Sequence, residues 1–340
     1  MNLLIASNTN LGGAILSLSD TAICLSSVPE LKLYYLSKKA LVQIGVCDQV
    51  IESNEFSETF AKLHGMTICD SIDMLDADTI LMEENFSSLW DSPYTIGSLA
   101  KFKRKITNNR ISWINPIYSY DISKFIKNYL CSFLTEDMRH LIKNFTGFSN
   151  VFERLMFIDF DNIRGGVYTP DYKYDLCSSY RPSSKKVSST LAKEIDDLCD
   201  LYSVKYVIVS EANGPTRKNV EFMKNYREYL SFLKNGVRGY LHFQDRWVET
   251  FGRSLYEAIK ICDFVIYKPE PYCDIMLSYL NADDLKNVFV AKNLADLSKI
   301  LFHFGKNGFP VRRCPSSPDL FNNDSLYKGR LLRFLDNLHY

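Results

Sequence analysis

Short runs of β-branched and aromatic apolar residues alternate with longer stretches of helical periodicity along nearly the whole chain. That alternation is the pattern of βα units, and strands joined by helical crossovers pair in parallel. In the first half the strand candidates are residues 2–7, 31–36, 49–53, 79–83, 110–115 and 154–160. In the second they are 174–178, 204–210, 239–243, 264–267 and 287–291, with helices expected near 187–200, 217–234, 254–262, 274–280 and 294–304. A chain of 340 residues exceeds one ordinary core, since domains run to about 100–200 residues. The expectation is α/β, with two Rossmann-like domains each built on a parallel sheet.

Residues 162–189 are rich in Gly, Pro, Ser and Tyr and read as a linker entering the first strand of a second domain. The expected division is 1–167 and 168–320. In the last segment, 321–340, Leu326, Leu331, Leu332, Leu335 and Leu338 make an apolar face at helical spacing. A helix there has no strand to follow, so it must cover existing surface, and the first domain is where it is expected to return.

Composition narrows the function classes. The chain is 46% apolar and 24% charged, as a folded globular protein is. It has no run of 18 or more apolar residues and no signal-like N-terminus, so a cytoplasmic location is expected, in the host cell if the protein is viral. Nine cysteines are scattered without a CxxC pair, and the five histidines show no ligand spacing. Reduced, mostly buried thiols and no protein-bound metal are expected, although a divalent metal held mainly by substrate phosphates is compatible with the sequence. Forty basic and forty acidic residues cancel, so a polyanion would have to meet a local patch. The densest is Lys101, Lys103, Arg104, Lys105 and Arg110, with no acidic residue among them; a solvated loop is the plainer reading of it.

Parallel sheets bind ligands beyond the carboxyl ends of their strands, where helix N-termini offer free N–H groups to phosphate. There is no GxGxxG or P-loop, which disfavours a nicotinamide dehydrogenase or a Walker NTPase. After the strand at 174–178 comes S-S-Y-R-P-S-S-K-K, in which Arg181 and Lys185 could clamp a diphosphate. After 204–210 comes E-A-N-G-P-T-R-K, with Arg217 at a helix start. The sharpest signal is E-T-F-G-R-S-L-Y-E-A, from Glu249 to Ala258. It holds two glutamates around a Phe-Gly turn, with Gly252, Arg253 and Ser254 opening a helix and Glu257 one turn into it. A carboxylate so placed can accept ribose hydroxyls while the N–H groups face phosphate or sugar. An amphipathic helix carrying two surface glutamates is the bland alternative.

This segment resembles the E-x7-E motif of GT-B glycosyltransferases. The resemblance implies two Rossmann-like domains facing a cleft, an acceptor-binding N-terminal domain and a C-terminal domain that binds a nucleotide sugar, with UDP-sugar the common donor. It also implies Glu257 on the donor ribose and Glu249 near the transferred sugar. The order of elements from about 150 to 270 is similar to that of the phage DNA glucosyltransferases, which places Arg181 at their diphosphate-binding arginine. The glycine pair that those enzymes carry in that loop is absent here.

In the first domain Gly12 and Gly13 follow the first strand, where GT-B enzymes bring a glycine loop to the donor. Asp121 is the candidate base for deprotonating an acceptor hydroxyl. Trp90, Tyr94, Trp113, Tyr118 and Tyr120 are candidates for stacking on sugar or on an extruded base. If the basic stretch meets a phosphate backbone, the acceptor is double-stranded DNA carrying a hydroxymethylated base. The alternatives are a glycosyltransferase building cell-surface polysaccharide, and a non-catalytic module that binds nucleotide sugar or nucleic acid.

Overall fold

The computed structural model describes residues 1–6, 13–43, 57–83, 101–107, 130–133, 151–153, 158, 169–180, 186–210, 220–223, 225–246, 252–311 and 318–337. The chain divides into two compact units, Met1–Ile158 with Phe321–Tyr340, and Asp159–Leu320. The second unit opens at Asp159, where the expected division stood at 168.

Unit 1 is a parallel sheet built from β1 (Asn2–Ala6), β2 (Lys32–Leu36), β3 (Thr67–Cys69), β4 (Ile80–Glu83), β5 (Arg104–Thr107), β6 (Leu130–Phe133) and β7 (Val151–Glu153). Their order is β3-β2-β1-β4-β5-β6-β7. Helices α1 (Gly13–Ser26), α2 (Lys38–Gln43) and α3 (Glu58–Leu63) fall between its first three strands. The expected strand at 49–53 lies outside the described residues, as do 110–115 and all but Ile158 of 154–160. β3, β5, β6 and β7 were not expected, being only three or four residues long.

Unit 2 has β8 (Tyr174–Ser179), α4 (Ser189–Leu201), β9 (Tyr206–Ser210), β10 (Val220–Phe222), α5 (Tyr226–Asn235), β11 (Val237–His242), α6 (Arg253–Ile261), β12 (Phe264–Tyr267), α7 (Pro271–Ser278), α8 (Ala282–Leu285), β13 (Val288–Val290) and α9 (Leu294–Asn307). Its strands lie in the order β10-β9-β8-β11-β12-β13, all parallel. This is the Rossmann order 3-2-1-4-5-6, whose reversal point falls here between β8 and β11. β10 corrects the helix expected over 217–234. Val220–Phe222 pairs with Ile208–Ser210 instead, and the helix starts only at Tyr226, where the Asn225 side chain accepts from the Glu228 N–H at 2.9 Å.

One face of the second sheet is covered by α4 and α9, whose Leu191, Ile195, Leu297, Leu301 and Phe304 form a buried cluster with Leu176, Ile208, Leu241, Phe264 and Ile266. Phe264 lies so close over Gly239 that a Cβ there would come within 2.2 Å of its ring, so this strand interior needs glycine for the close approach. α5 and α6 pack against β11 and β12.

The C-terminal helix α10 (Asp324–Asn337) is part of unit 1. The Ile158 N–H donates to the Phe321 carbonyl at 2.9 Å, the Tyr327 hydroxyl lies 3.0 Å from Thr21 Oγ1, and the Cys24 thiol donates to Asp324 Oδ1 at 2.7 Å. Tyr327 and Leu331 are buried. Among the described residues no helix is long and apolar enough to cross a membrane.

Candidate functional site

In the Rossmann order the strand ends that flank the reversal point are where a ligand is received. In unit 2 these are the carboxyl ends of β8 and β11, held together where the Ser178 hydroxyl donates to the Leu241 carbonyl at 2.7 Å. The chain leaves β8 into the segment carrying Arg181 and Lys185, and leaves β11 into the E-T-F-G-R-S-L-Y-E-A segment. Topology thus sets side by side the two strand ends that precede these motifs in the chain.

Gly252 is the N-cap of α6, with φ 74° and ψ 50°, and its carbonyl accepts from the Tyr256 N–H at 2.9 Å. Left-handed backbone favours glycine, and a Cβ here would also stand 2.9 Å from Cys273 Sγ. Gly252→Ala is therefore expected to destabilise unit 2 by about 1–3 kcal/mol, which urea unfolding followed by circular dichroism would measure.

From this turn α6 directs its charged residues inward. Glu257 is 2% exposed and Arg253 7%. Arg253 Nε donates to Glu257 Oε1 at 2.6 Å, the Tyr226 hydroxyl donates to the same oxygen at 2.6 Å, and Arg253 Nη2 reaches the Tyr226 hydroxyl at 3.2 Å. The guanidinium also lies 5.4 Å from the Tyr226 ring centroid. Burial pushes the Glu257 carboxyl above its ordinary range, against the pull of Arg253 and Tyr226. Glu257 is therefore not a surface glutamate of an amphipathic helix, and Arg253 is engaged by its own helix and by α5. Ser254, the second residue of the helix, is half-buried.

A second polar group lies beside this turn. His242 ends β11, and Gln244, Glu270 and Cys273 come from the segments after β11 and β12. Gln244 Nε2 is 3.1 Å from His242 Nε2 and 3.5 Å from Glu270 Oε1, while His242 Nε2 is 3.4 Å from Glu270 Oε1 and 3.9 Å from Cys273 Sγ. All four are buried. Sequence reasoning missed this group, because its members come together only through the parallel pairing of β11 with β12, His242 opposite Tyr267. The one local signal was a glutamate at the N-cap of α7, a poor capping residue that makes no capping bond.

Below the turn, Lys260 Nζ bridges Asp284 Oδ2 at 2.6 Å and Asp319 Oδ2 at 2.9 Å. The Tyr256 hydroxyl lies 3.2 Å from both oxygens of Asp319. This buried triad anchors the end of α6 to α8 and to the segment preceding Phe321.

In the basic stretch Lys101 turns back onto its own unit, whereas the Lys103 side chain is 68% exposed. Lys101 donates to the Leu75 carbonyl at 2.7 Å and to the Ile72 carbonyl, and Lys103 pairs with Asp78 at 3.0 Å. Arg104 and Lys105 belong to β5, where they pair with Ile80 and Leu81. Lys101 and Lys103 thus precede β5, at the amino end of a parallel strand, whereas ligands are received at carboxyl ends. Gly13 is the first residue of α1. Gly12, Arg110, Asp121, Arg181, Lys185, Arg217 and Glu249 lie outside the described residues, as do Trp90, Tyr94, Trp113, Tyr118 and Tyr120.

No family model matches the sequence, and no curated protein matches it either. Solved structures do match. Anabaena HepE in complex with UDP and glucose is similar with a TM-score of 0.59 at 11% identity, over 100% of this chain and 99% of that one. HepE in complex with UDP gives 0.57 at 10% identity, over 100% of both chains. Sucrose-phosphate synthase from Thermosynechococcus elongatus gives 0.56 at 8% identity, over 99% of both. At such identities the likeness fixes the fold: the two parallel α/β units are those of the GT-B class.

Proposed function

We propose that this protein is a glycosyltransferase that takes a sugar from a nucleotide-sugar donor, best a UDP-sugar, and that unit 2 holds the donor at the carboxyl ends of β8 and β11. The observation that carries this reading is the position of the Glu249–Ala258 segment. It opens α6 from a left-handed Gly252 at the reversal point of a Rossmann sheet, in a chain whose fold matches two UDP-bound structures of HepE. In this reading the N–H groups that begin α6 receive phosphate or sugar oxygen. The Glu257 carboxylate, whose Oε1 accepts from Arg253 and Tyr226, is the group assigned to a ribose hydroxyl. Arg181 and Lys185 face the diphosphate, and Glu249 serves the transferred sugar. To unit 1 this reading assigns the acceptor, with Asp121 as the base, and it counts Gly12 and Gly13 among the donor-binding residues. In the transfer, the acceptor oxygen bonds to the anomeric carbon as the bond to the diphosphate breaks, the base takes the hydroxyl proton, and cations neutralise the leaving diphosphate.

The acceptor is a hydroxyl compound. Its assignment to a hydroxymethylated base in DNA draws on the phage-like order of elements in unit 2, and Lys101 and Lys103 lend it no support. A thermal-shift screen of nucleotides and nucleotide sugars tests the donor, because a ligand present at about 100 times its dissociation constant stabilises by about 2.7 kcal/mol. UDP and one UDP-sugar are expected to raise the melting temperature, and Glu257→Gln to abolish the rise. No stabilisation by any nucleotide would overturn the reading. Transfer assays with the identified donor, on hydroxymethylated DNA and on glycan acceptors, then separate the acceptor classes.

A further inference from the structure

We infer that His242, Glu270 and Cys273 form a binding site for a borderline-soft divalent cation of the zinc type. The site lies at the carboxyl end of β11 beside the turn that opens α6, and the inference does not depend on the donor reading. The three residues each offer one ligand atom, the three atoms lie within 4.8 Å of one another, and all three residues are buried. Tetrahedral zinc, at about 2.0–2.1 Å from nitrogen, 2.0–2.2 Å from oxygen and 2.3 Å from sulfur, sets its ligand atoms about 3.4–3.6 Å apart. His242 Nε2 and Glu270 Oε1 are at 3.4 Å already, and Cys273 Sγ, 3.9 Å from His242 Nε2 and within 4.8 Å of both partners, closes on the ion when it binds.

Gln244 Nε2 lies 3.1 Å from His242 Nε2 and 3.5 Å from Glu270 Oε1; a cation at the shared point takes the Nε2 lone pair in place of that amide contact. Glu270 occupies the N-cap of α7 yet makes no capping bond there; its carboxylate points at the histidine instead. Cys273 stands in the first turn of the same eight-residue helix, where the helix dipole favours the thiolate that a metal requires. Nitrogen, oxygen and sulfur together select zinc over magnesium or calcium, which take oxygen alone.

The place of the site gives it a consequence. Gly252 packs directly on Cys273, so an ion here would fasten the turn that opens α6 to the start of α7. Three protein ligands leave the fourth position of a tetrahedral ion for water.

The test is cobalt substitution in tag-free, full-length protein freed of metal by chelator dialysis. One equivalent of Co2+ is expected to bind tightly with visible bands of a tetrahedral ion and a near-ultraviolet thiolate-to-cobalt band, and Zn2+ to displace it and raise the melting temperature. Cys273→Ser is expected to lose the thiolate band and the Zn2+-induced rise, and Glu270→Gln to weaken Co2+ binding while keeping the band. Should Cys273→Ser fail to fold, the wild-type Co2+ spectrum with and without prior alkylation of accessible thiols decides, since a buried Cys273 keeps its band after alkylation. A spectrum without a thiolate band, a band unchanged in folded Cys273→Ser, or the absence of stoichiometric binding would each overturn the inference. Nucleotide-sugar binding, measured in parallel, reports on the donor reading separately.

Discussion

Lys260→Met is expected to destabilise unit 2 by about 3–5 kcal/mol, the cost of removing one partner from a buried ion pair. The lysine is fully buried between Asp284 and Asp319, each at most 3% exposed. Methionine preserves the length and the packing but removes the cation, leaving two carboxylates in a site shielded from water. Adding Asp284→Asn and Asp319→Asn to Lys260→Met should recover much of the loss, because whole-site neutralisation removes the stranded charge that dominates the penalty. Urea unfolding of the single and triple variants measures the difference. If Lys260→Met costs less than about 1 kcal/mol, an amount usual for exposed pairs, the triad does not hold the segment before Phe321 as described.

A comparable loss, about 3–5 kcal/mol, is expected for Glu257→Ala, and for the complementary reason: the Arg253 guanidinium, 7% exposed, stays buried without the carboxylate that it pairs with at 2.6 Å. The raised pKa of Glu257 decides what the pair itself contributes. Burial outweighs the attraction of Arg253, so the ionised carboxylate is less favourable in the folded chain than in the unfolded one. Replacing both residues, as Arg253→Met with Glu257→Leu, is then expected to cost far less than either single change. The same shift gives a sign for pH. A folded carboxyl that holds its proton above the ordinary range makes stability greatest below the unfolded value, and stability falls as pH rises from there through the folded value. Glu257→Gln should remove that fall; a slope identical to the wild type in equilibrium unfolding across this range would show that another group titrates.

Much of the architecture was legible before any coordinates. β1, β2, β4, β8, β9 and β11 to β13 coincide with apolar runs that a periodicity of two or a fully buried strand demands, and their alternation with helices implies parallel pairing. β10 was not legible as a strand, since Val220–Phe222 is short and sits beside a helical pattern. The Asn225 cap with Glu228 three residues on was the signal that the helix begins later. The Phe-Gly turn marked Gly252 correctly as a helix entry, but spacing said only that Glu257 lies one turn in. Its inward rotation against Tyr226 depends on how α5 packs on α6, which no local pattern carries. For the basic stretch, charge density alone gave neither direction along the strand nor partners: Lys101 and Lys103 come before β5, and their partners, the carbonyls of Ile72 and Leu75 and the carboxylate of Asp78, are distant in sequence.

The return of residues Phe321–Tyr340 to unit 1 makes that unit discontinuous, with unit 2 as an insertion between its body and its last helix. During synthesis every residue of the second unit emerges before the first can receive α10 on Thr21 and Cys24, so the half begun first is completed last. A premature stop after residue 320 would spare the later-made half and leave the earlier-made one unfinished, a polarity opposite to that of domains strung end to end.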